Sequence, residues 1–92
     1  MILSFRSAET QSVWEGRFSR KLPQDIQQTA LRKLRMLNNA HALDDLRVPP
    51  NNRLEKLKGN YAGSYSIRVN DQWRICFRWA DGAADVAMVD YH

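Results

Sequence analysis

The stretch Tyr65–Trp79, YSIRVNDQWRICFRW, constrains this chain more than any other. Tyr65, Ile67 and Val69 alternate with Ser66 and Arg68. After Asn70-Asp71, the residues Trp73, Ile75, Phe77 and Trp79 alternate with Arg74, Cys76 and Arg78. A period of two sends alternate side chains to opposite faces of a sheet. The pattern predicts two strands joined at Asn70-Asp71, with one large apolar face and one face carrying Arg68, Arg74 and Arg78. The apolar face needs a cover, which helices elsewhere in the chain can supply. The arginine face is then left free for a negatively charged partner.

The rest of the chain supplies that cover. Ile2 to Arg6 reads as a short edge or parallel strand, with Ile2 and Phe5 inward. Ser7 suits an N-cap. A first helix follows from Ala8 to about Phe18, its apolar face made of Val13, Trp14 and Phe18 and its end weakened by Gly16. Pro23 suits a first helical position and Asp25 the first turn. The second helix runs to about Asn38. Ile26, Ala30, Leu34 and Leu37 share one face, with Arg32, Lys33 and Arg35 largely off it. His41 to Leu46 suggests another helical turn, anchored by Leu43 and Leu46. The Val48-Pro49-Pro50-Asn51-Asn52 run reads as an extended loop that cannot continue a helix. Arg53 to Lys58 reads as a strand with a bulge or bend, because Leu54 and Leu57 are three apart. Gly59 to Gly63 and Asp81-Gly82 are turns, and a last strand is expected from about Asp85 to Tyr91. This order predicts an α+β fold, with an N-terminal strand and two helices packed on one face of a mostly antiparallel sheet.

With 92 residues the chain is read as one domain, residues 1–92, with room for one compact core. The net charge is +4, and ten of the fourteen basic residues are arginine. Arginine offers a planar donor fork suited to phosphate, where lysine acts as a point charge. The single cysteine, Cys76, allows neither a disulfide framework nor a cysteine-rich zinc site within one chain. No metal or other cofactor is called for. The opening MILSFRSAET has no apolar run long enough for a secretory signal. No stretch approaches the roughly twenty apolar residues of a membrane span. A cytoplasmic protein with no membrane partner is expected.

Polar chemistry concentrates in the second half. The stretches are Arg53-Leu54-Glu55-Lys56-Leu57-Lys58, then Arg68, then Arg74 with Arg78, and finally Asp90-Tyr91-His92. Cutting RNA without a metal needs a base for the 2′-hydroxyl proton, a cation for the charge on phosphorus and an acid for the leaving 5′-oxygen. These groups can supply all three. Arg74, on a central strand, is the natural charge stabiliser, and Glu55, Lys58 or His92 can move protons. The same residues also fit plainer roles. Arg74 and Arg78 suit a solvated sheet face, Lys56 and Lys58 a lysine-rich surface, and Glu55 a neutralising partner for Arg53 or Lys58. Cys76 suits a small filler. Tyr61, in a turn, is placed to stack on a base. The α-carboxylate beside the His92 imidazole would favour its protonated form.

The stretch NRLEKLKGNYAGSYSIRVNDQWRICFRW, with the closing VDYH, resembles the HigB toxins of the RelE superfamily. The match is strong over Asn52 to His92. The N-terminal half agrees mainly in element order and length. The resemblance implies a type II toxin–antitoxin toxin: an endoribonuclease that cuts messenger RNA in the A site of the 70S ribosome and arrests translation. It implies a helix-turn-helix antitoxin as partner, with operator DNA reached only through that antitoxin. Carried over by motif, Lys58 and Arg74 match the family's basic catalytic positions, and Asp90, Tyr91 and His92 its functional C-terminus. Glu55 stands where some members have a catalytic histidine, which leaves the proton carrier open between Glu55, His92 and Lys58. Arg53, Lys56, Arg68, Arg78, Asp90 and Tyr91 are the expected RNA-binding residues.

Two rival readings remain. One is a non-catalytic basic module that binds RNA or an acidic protein. The other is a sequence-specific DNA-binding domain, which lacks a recognisable turn and second recognition helix.

Overall fold

The structure is a computed structural model that describes residues 1–59 and 63–90. Two helices, α1 (Ala8–Trp14) and α2 (Gln24–Asn39), precede two short 3₁₀ turns, Leu43–Arg47 and Pro50–Asn52. Four strands follow: β1 (Glu55–Lys56), β2 (Ser64–Arg68), β3 (Trp73–Trp79) and β4 (Ala83–Asp90). They form an antiparallel sheet in the order β1-β2-β3-β4. The N-terminal run adds a parallel edge beside β4 through bridges Ile2↔Ala83 and Phe5↔Val86. Thr10 Oγ1 accepts from the next edge donor, the Met88 N–H, at 2.9 Å, which pins α1 to β4. The predicted α+β architecture is therefore present, with its mostly antiparallel sheet. Among the described residues no helix is long and apolar enough to cross a membrane.

The period-two reading fixes the core. β2 and β3 pair Tyr65 with Phe77 and Ile67 with Ile75. Ile67, Ile75 and Phe77 are buried in one cluster with Val86 and Met88 of β4 and with Ile26, Ala30, Leu34 and Leu37 of α2. Burying one such side chain contributes about 1.5–3 kcal/mol. The helical stripe of α2 thus covers the apolar sheet face, as its spacing predicts.

Several boundaries differ from the expectation. Ser7 does cap α1, its Oγ accepting from the Thr10 N–H at 3.2 Å. The helix ends at Trp14, because Gly16 takes φ +82 and turns the chain left-handed. Phe18 therefore lies outside the helix and is 38% exposed, not part of its apolar face. The Pro-Pro segment is not wholly extended, since Pro50 starts a 3₁₀ turn. β1 spans only two residues, preceded by Arg53 at φ 44. The last strand begins at Ala83, two residues early, because Gly82 lets the N-terminal run approach. A Cβ on Gly82 would lie 2.7 Å from the Met1 carbonyl oxygen.

Two corrections concern polar residues. Lys33 is buried, because its side chain turns to Asn52 and the 3₁₀ turn instead of to solvent. The arginine face is also not fully open. Ser66, Arg74, Cys76 and Ala87 are all buried there, and the Arg74 guanidinium lies across Ser66.

Candidate active site

Sheet register builds a polar cleft at one end of the arginine face. Arg68 stands directly opposite Arg74, and Glu55 opposite Ser66. The β2–β3 turn folds Asn70 and Asp71 over the same end. The resulting cleft, about 240 Å³, is lined by Arg53, Glu55, Arg68, Asn70, Asp71 and Arg74. Four of these are residues the sequence singled out: Arg53, Glu55, Arg68 and Arg74.

Arg74 lies at the base of the cleft. Its Nε donates to Ser66 Oγ at 2.7 Å, and its Nη2 donates to the Arg53 carbonyl at 2.5 Å and to the Ser66 carbonyl at 3.3 Å. These bonds hold one edge of the guanidinium from behind. On the other edge, Nη1 lies 3.8 Å from Glu55 Oε1. The Arg74 side chain is 10% exposed and that of Glu55 57%, so the pair joins the floor of the cleft to its mouth. The acceptors along the Nε–Nη2 edge are neutral, and the charged partner of the guanidinium, Glu55, stands on the side of the mouth.

Arg68 is tied differently. Its Nη2 meets Asp71 Oδ1 at 2.5 Å on the rim. Hydrogen bonding from Arg68, and then its charge, hold the Asp71 carboxyl below its ordinary range. Asn70 shapes the turn, its Oδ1 accepting from the Gln72 and Trp73 N–H groups at 2.9 and 2.7 Å. Cys76, beside this site on β3, has its thiol pushed up by burial, against the opposing charges of Arg6 and Arg74. A raised thiol is a poor nucleophile, which agrees with a filler role.

The other candidates lie apart from the cleft walls. Lys58 is exposed just beyond β1. Lys56 stands opposite Tyr65, on the parity of the apolar face, and is exposed at the sheet edge. Arg78 is exposed at the far end of β3, opposite Ser64 and Ala84. Asp90 ends β4 opposite Trp73 and accepts from Gln72 Nε2 at 3.0 Å. Tyr61, Tyr91 and His92 lie outside the described residues. Among the described residues no group of three His, Cys, Asp or Glu side chains is placed to hold a metal ion.

Known proteins share this architecture. The solved YoeB-YefM complex from Staphylococcus aureus contains a chain with the same fold, at a TM-score of 0.62 and 17% identity, covering 100% of this chain and 98% of that one. The fold is RelE-like. At the level of sequence, the chain is 42% identical over 93 residues to Toxin HigB-1 of Vibrio cholerae serotype O1, covering 100% of this chain and 98% of that toxin. It is also 35% identical over 72 residues to an uncharacterized protein of Haemophilus influenzae, covering 78% of this chain and 71% of that protein. Residues 3–92 match the HigB-like toxin family, described as the RelE-like toxin of the type II toxin–antitoxin system HigB. The chain belongs to that family. The match takes in the N-terminal half as well as the second half. As the toxin of a type II system, the chain has an antitoxin as its partner.

Sequence reasoning missed Ser66, Asn70 and Asp71 as parts of the site. The period of two did put Ser66 on the arginine face. Asn70 and Asp71 were legible as a turn, but nothing local says that a turn folds over a cleft.

Proposed function

We propose that this toxin cuts messenger RNA in the ribosomal A site by attack of a 2′-hydroxyl on the adjacent phosphate. The observation that carries the reading is the Arg74 guanidinium, held from behind at the base of a cleft that Arg53 and Arg68 also line. Nη1 of Arg74 meets the phosphate oxygens and stabilises the charge that grows on them in the pentavalent state. Glu55, whose Oε1 lies 3.8 Å from Nη1, takes the 2′-hydroxyl proton. As the O2′–P bond forms, the P–O5′ bond breaks and O5′ takes a proton from His92. The products are a 2′,3′-cyclic phosphate and a 5′-hydroxyl. Lys58 supports the phosphate from its exposed position beyond β1. Arg53, Arg68, Lys56, Arg78, Asp90 and Tyr91 bind and orient the strand. The reaction uses neither metal nor cofactor and takes place in the cytoplasm. The antitoxin is a helix-turn-helix protein, and operator DNA is met only through it.

The test uses translating ribosomes carrying an end-labelled message, with this protein or its Arg74→Ala variant. New ends with cyclic phosphate at the A site, made by the first and not by the variant, support the reading. Equal cutting by both removes Arg74 from the mechanism. A second reading is favoured by the burial of Arg74, which is 8% exposed. In that reading Arg74 only fastens the Arg53 segment to the sheet, and the cleft binds RNA without cutting it. Binding that weakens steeply with salt, with no new RNA end, would establish it.

A further inference from the structure

Lys33 takes no part in the chemistry above, yet it is 7% exposed on a helix whose neighbouring Arg32 and Arg35 are solvated. Taking an ammonium out of water carries a desolvation penalty that a leucine or methionine in the same space avoids. Its Nζ donates to Asn52 Oδ1 at 2.6 Å, the one hydrogen-bond acceptor it meets among the described residues. Asn52 is itself fully buried, and its Nδ2 donates to the carbonyls of Leu46 at 3.1 Å and Val48 at 3.4 Å. Both ends of the amide are therefore engaged. Moving it would strand buried polar groups without partners, which holds the amide in place.

The residue after Asn52 is Arg53, at φ 44. That left-handed conformation is strained for a residue with a Cβ, and it persists only where its surroundings enforce it. The carbonyl of Arg53 accepts from Arg74 Nη2 at 2.5 Å. A chain of contacts thus runs from Lys33 on α2, through the Asn52 amide and the strained Arg53 backbone, to the guanidinium at the base of the cleft. Burial, with the charges of Arg32 and Arg68, pushes the Lys33 ammonium below its ordinary pKa, as befits a cation held behind a positive cleft.

We propose that Lys33 and Asn52 are positioning residues: they clamp Arg53 in its left-handed conformation, and the Arg53 carbonyl then fixes the direction in which Arg74 presents Nη1. This inference rests on the reading of Arg74 as the charge stabiliser. Lys33→Met keeps the length of the stem and removes the donor. With the clamp gone, cleavage at saturating ribosomes falls about ten- to a hundredfold, the scale expected for a misplaced catalytic group. Affinity for ribosomes changes by less than about twofold, because the surface charges remain.

Two readouts separate positioning from a general loss of stability. The first is exchange with solvent of the Arg74 Nη2 protons, whose acceptor is the Arg53 carbonyl, followed by NMR; it quickens in Lys33→Met while the melting curve stays cooperative. The second is the same substitution in an Arg53→Gly background. Glycine adopts positive φ without strain, so there Lys33→Met changes cleavage and exchange by less than about twofold. If Lys33→Met does not fold, Asn52→Asp serves instead. It keeps an acceptor for Lys33 but turns an acceptor toward the Leu46 and Val48 carbonyls, and it too quickens the exchange. Unchanged exchange in the folded variant, or equal effects of Lys33→Met in both backgrounds, overturns the proposal. Quickened exchange together with full activity of Arg74→Ala upholds the clamp and overturns the catalytic reading of Arg74. Unchanged exchange with an inactive Arg74→Ala does the reverse.

Discussion

Arg74 Nη2 and the Arg53 carbonyl oxygen lie 2.5 Å apart across 21 positions of chain. That bond joins the central strand β3 to the loop that leads into β1, and it closes one wall of the cleft. With the Ser66 bonds it gives the guanidinium one fixed edge and leaves the other toward Glu55 at the mouth of the cleft. Glu55, Ser66, Arg68 and Arg74 are set by strand register, and Arg53, Asn70 and Asp71 join them from the adjoining loop and turn.

Ser66→Ala removes the hydroxyl that accepts from Arg74 Nε at 2.7 Å in a fully buried position. The donor is then left without its partner, a loss of about 1–3 kcal/mol. For a domain of this size that lowers the melting temperature by several degrees, at about 4–8 °C per kcal/mol. Cleavage on ribosomes falls with it, because the guanidinium is no longer held along its edge. Thermal melting and the end-labelled message check the two effects separately.

Asp71→Asn releases Arg68 from the carboxylate 2.5 Å away on the rim. The Asp71 side chain is 99% exposed, and exposed pairs contribute only about 0–1 kcal/mol, so stability hardly changes. The freed guanidinium gains a phosphate. Binding of a single-stranded RNA oligonucleotide should tighten, and its salt dependence should steepen by about 0.7 in logarithmic slope for one added contact. A titration across salt concentrations measures both, and unchanged slopes would show that Arg68 meets no phosphate.

Gly82→Ala tests how the N-terminal run is attached. The added Cβ would sit 2.7 Å from the Met1 carbonyl oxygen, the acceptor for the Ala83 N–H at 2.8 Å. One of the two must move, and overpacking of this kind costs about 1–3 kcal/mol. The expected result is a lower melting temperature and faster hydrogen exchange at Ala83. The cleft lies at the other end of β3, so Arg74 Nε–H exchange should stay as it was.

The elements legible in the sequence are those whose signal is local. Alternation over Tyr65–Trp79 gave β2, β3 and the burial of Ile67, Ile75 and Phe77. A four-residue stripe gave the buried face of α2, and Ser7 gave the start of α1. The family motif carried Lys58 and Arg74, with Glu55 as a departure from it; Glu55 lies 3.8 Å from Arg74 Nη1, and Lys58 is exposed beyond β1.

Other features depended on residues far apart in the chain. Lys33 stands off the apolar stripe of α2, but helical spacing says where a side chain leaves the helix and not what meets it. Its partner Asn52 is 19 residues away. Parity puts Arg74 on the open face, but parity assigns a face and not its depth. Ser66 and the Arg53 carbonyl draw it down until it is 8% exposed. The sequence by itself determined the strands, the helices and the face on which the arginines stand, since backbone periodicity is set within a few residues. Only the tertiary structure decided which arginine is buried, which lysine lies beneath the cleft and which carboxylates face them. Those outcomes depend on hydrogen bonds between segments that folding alone brings within reach.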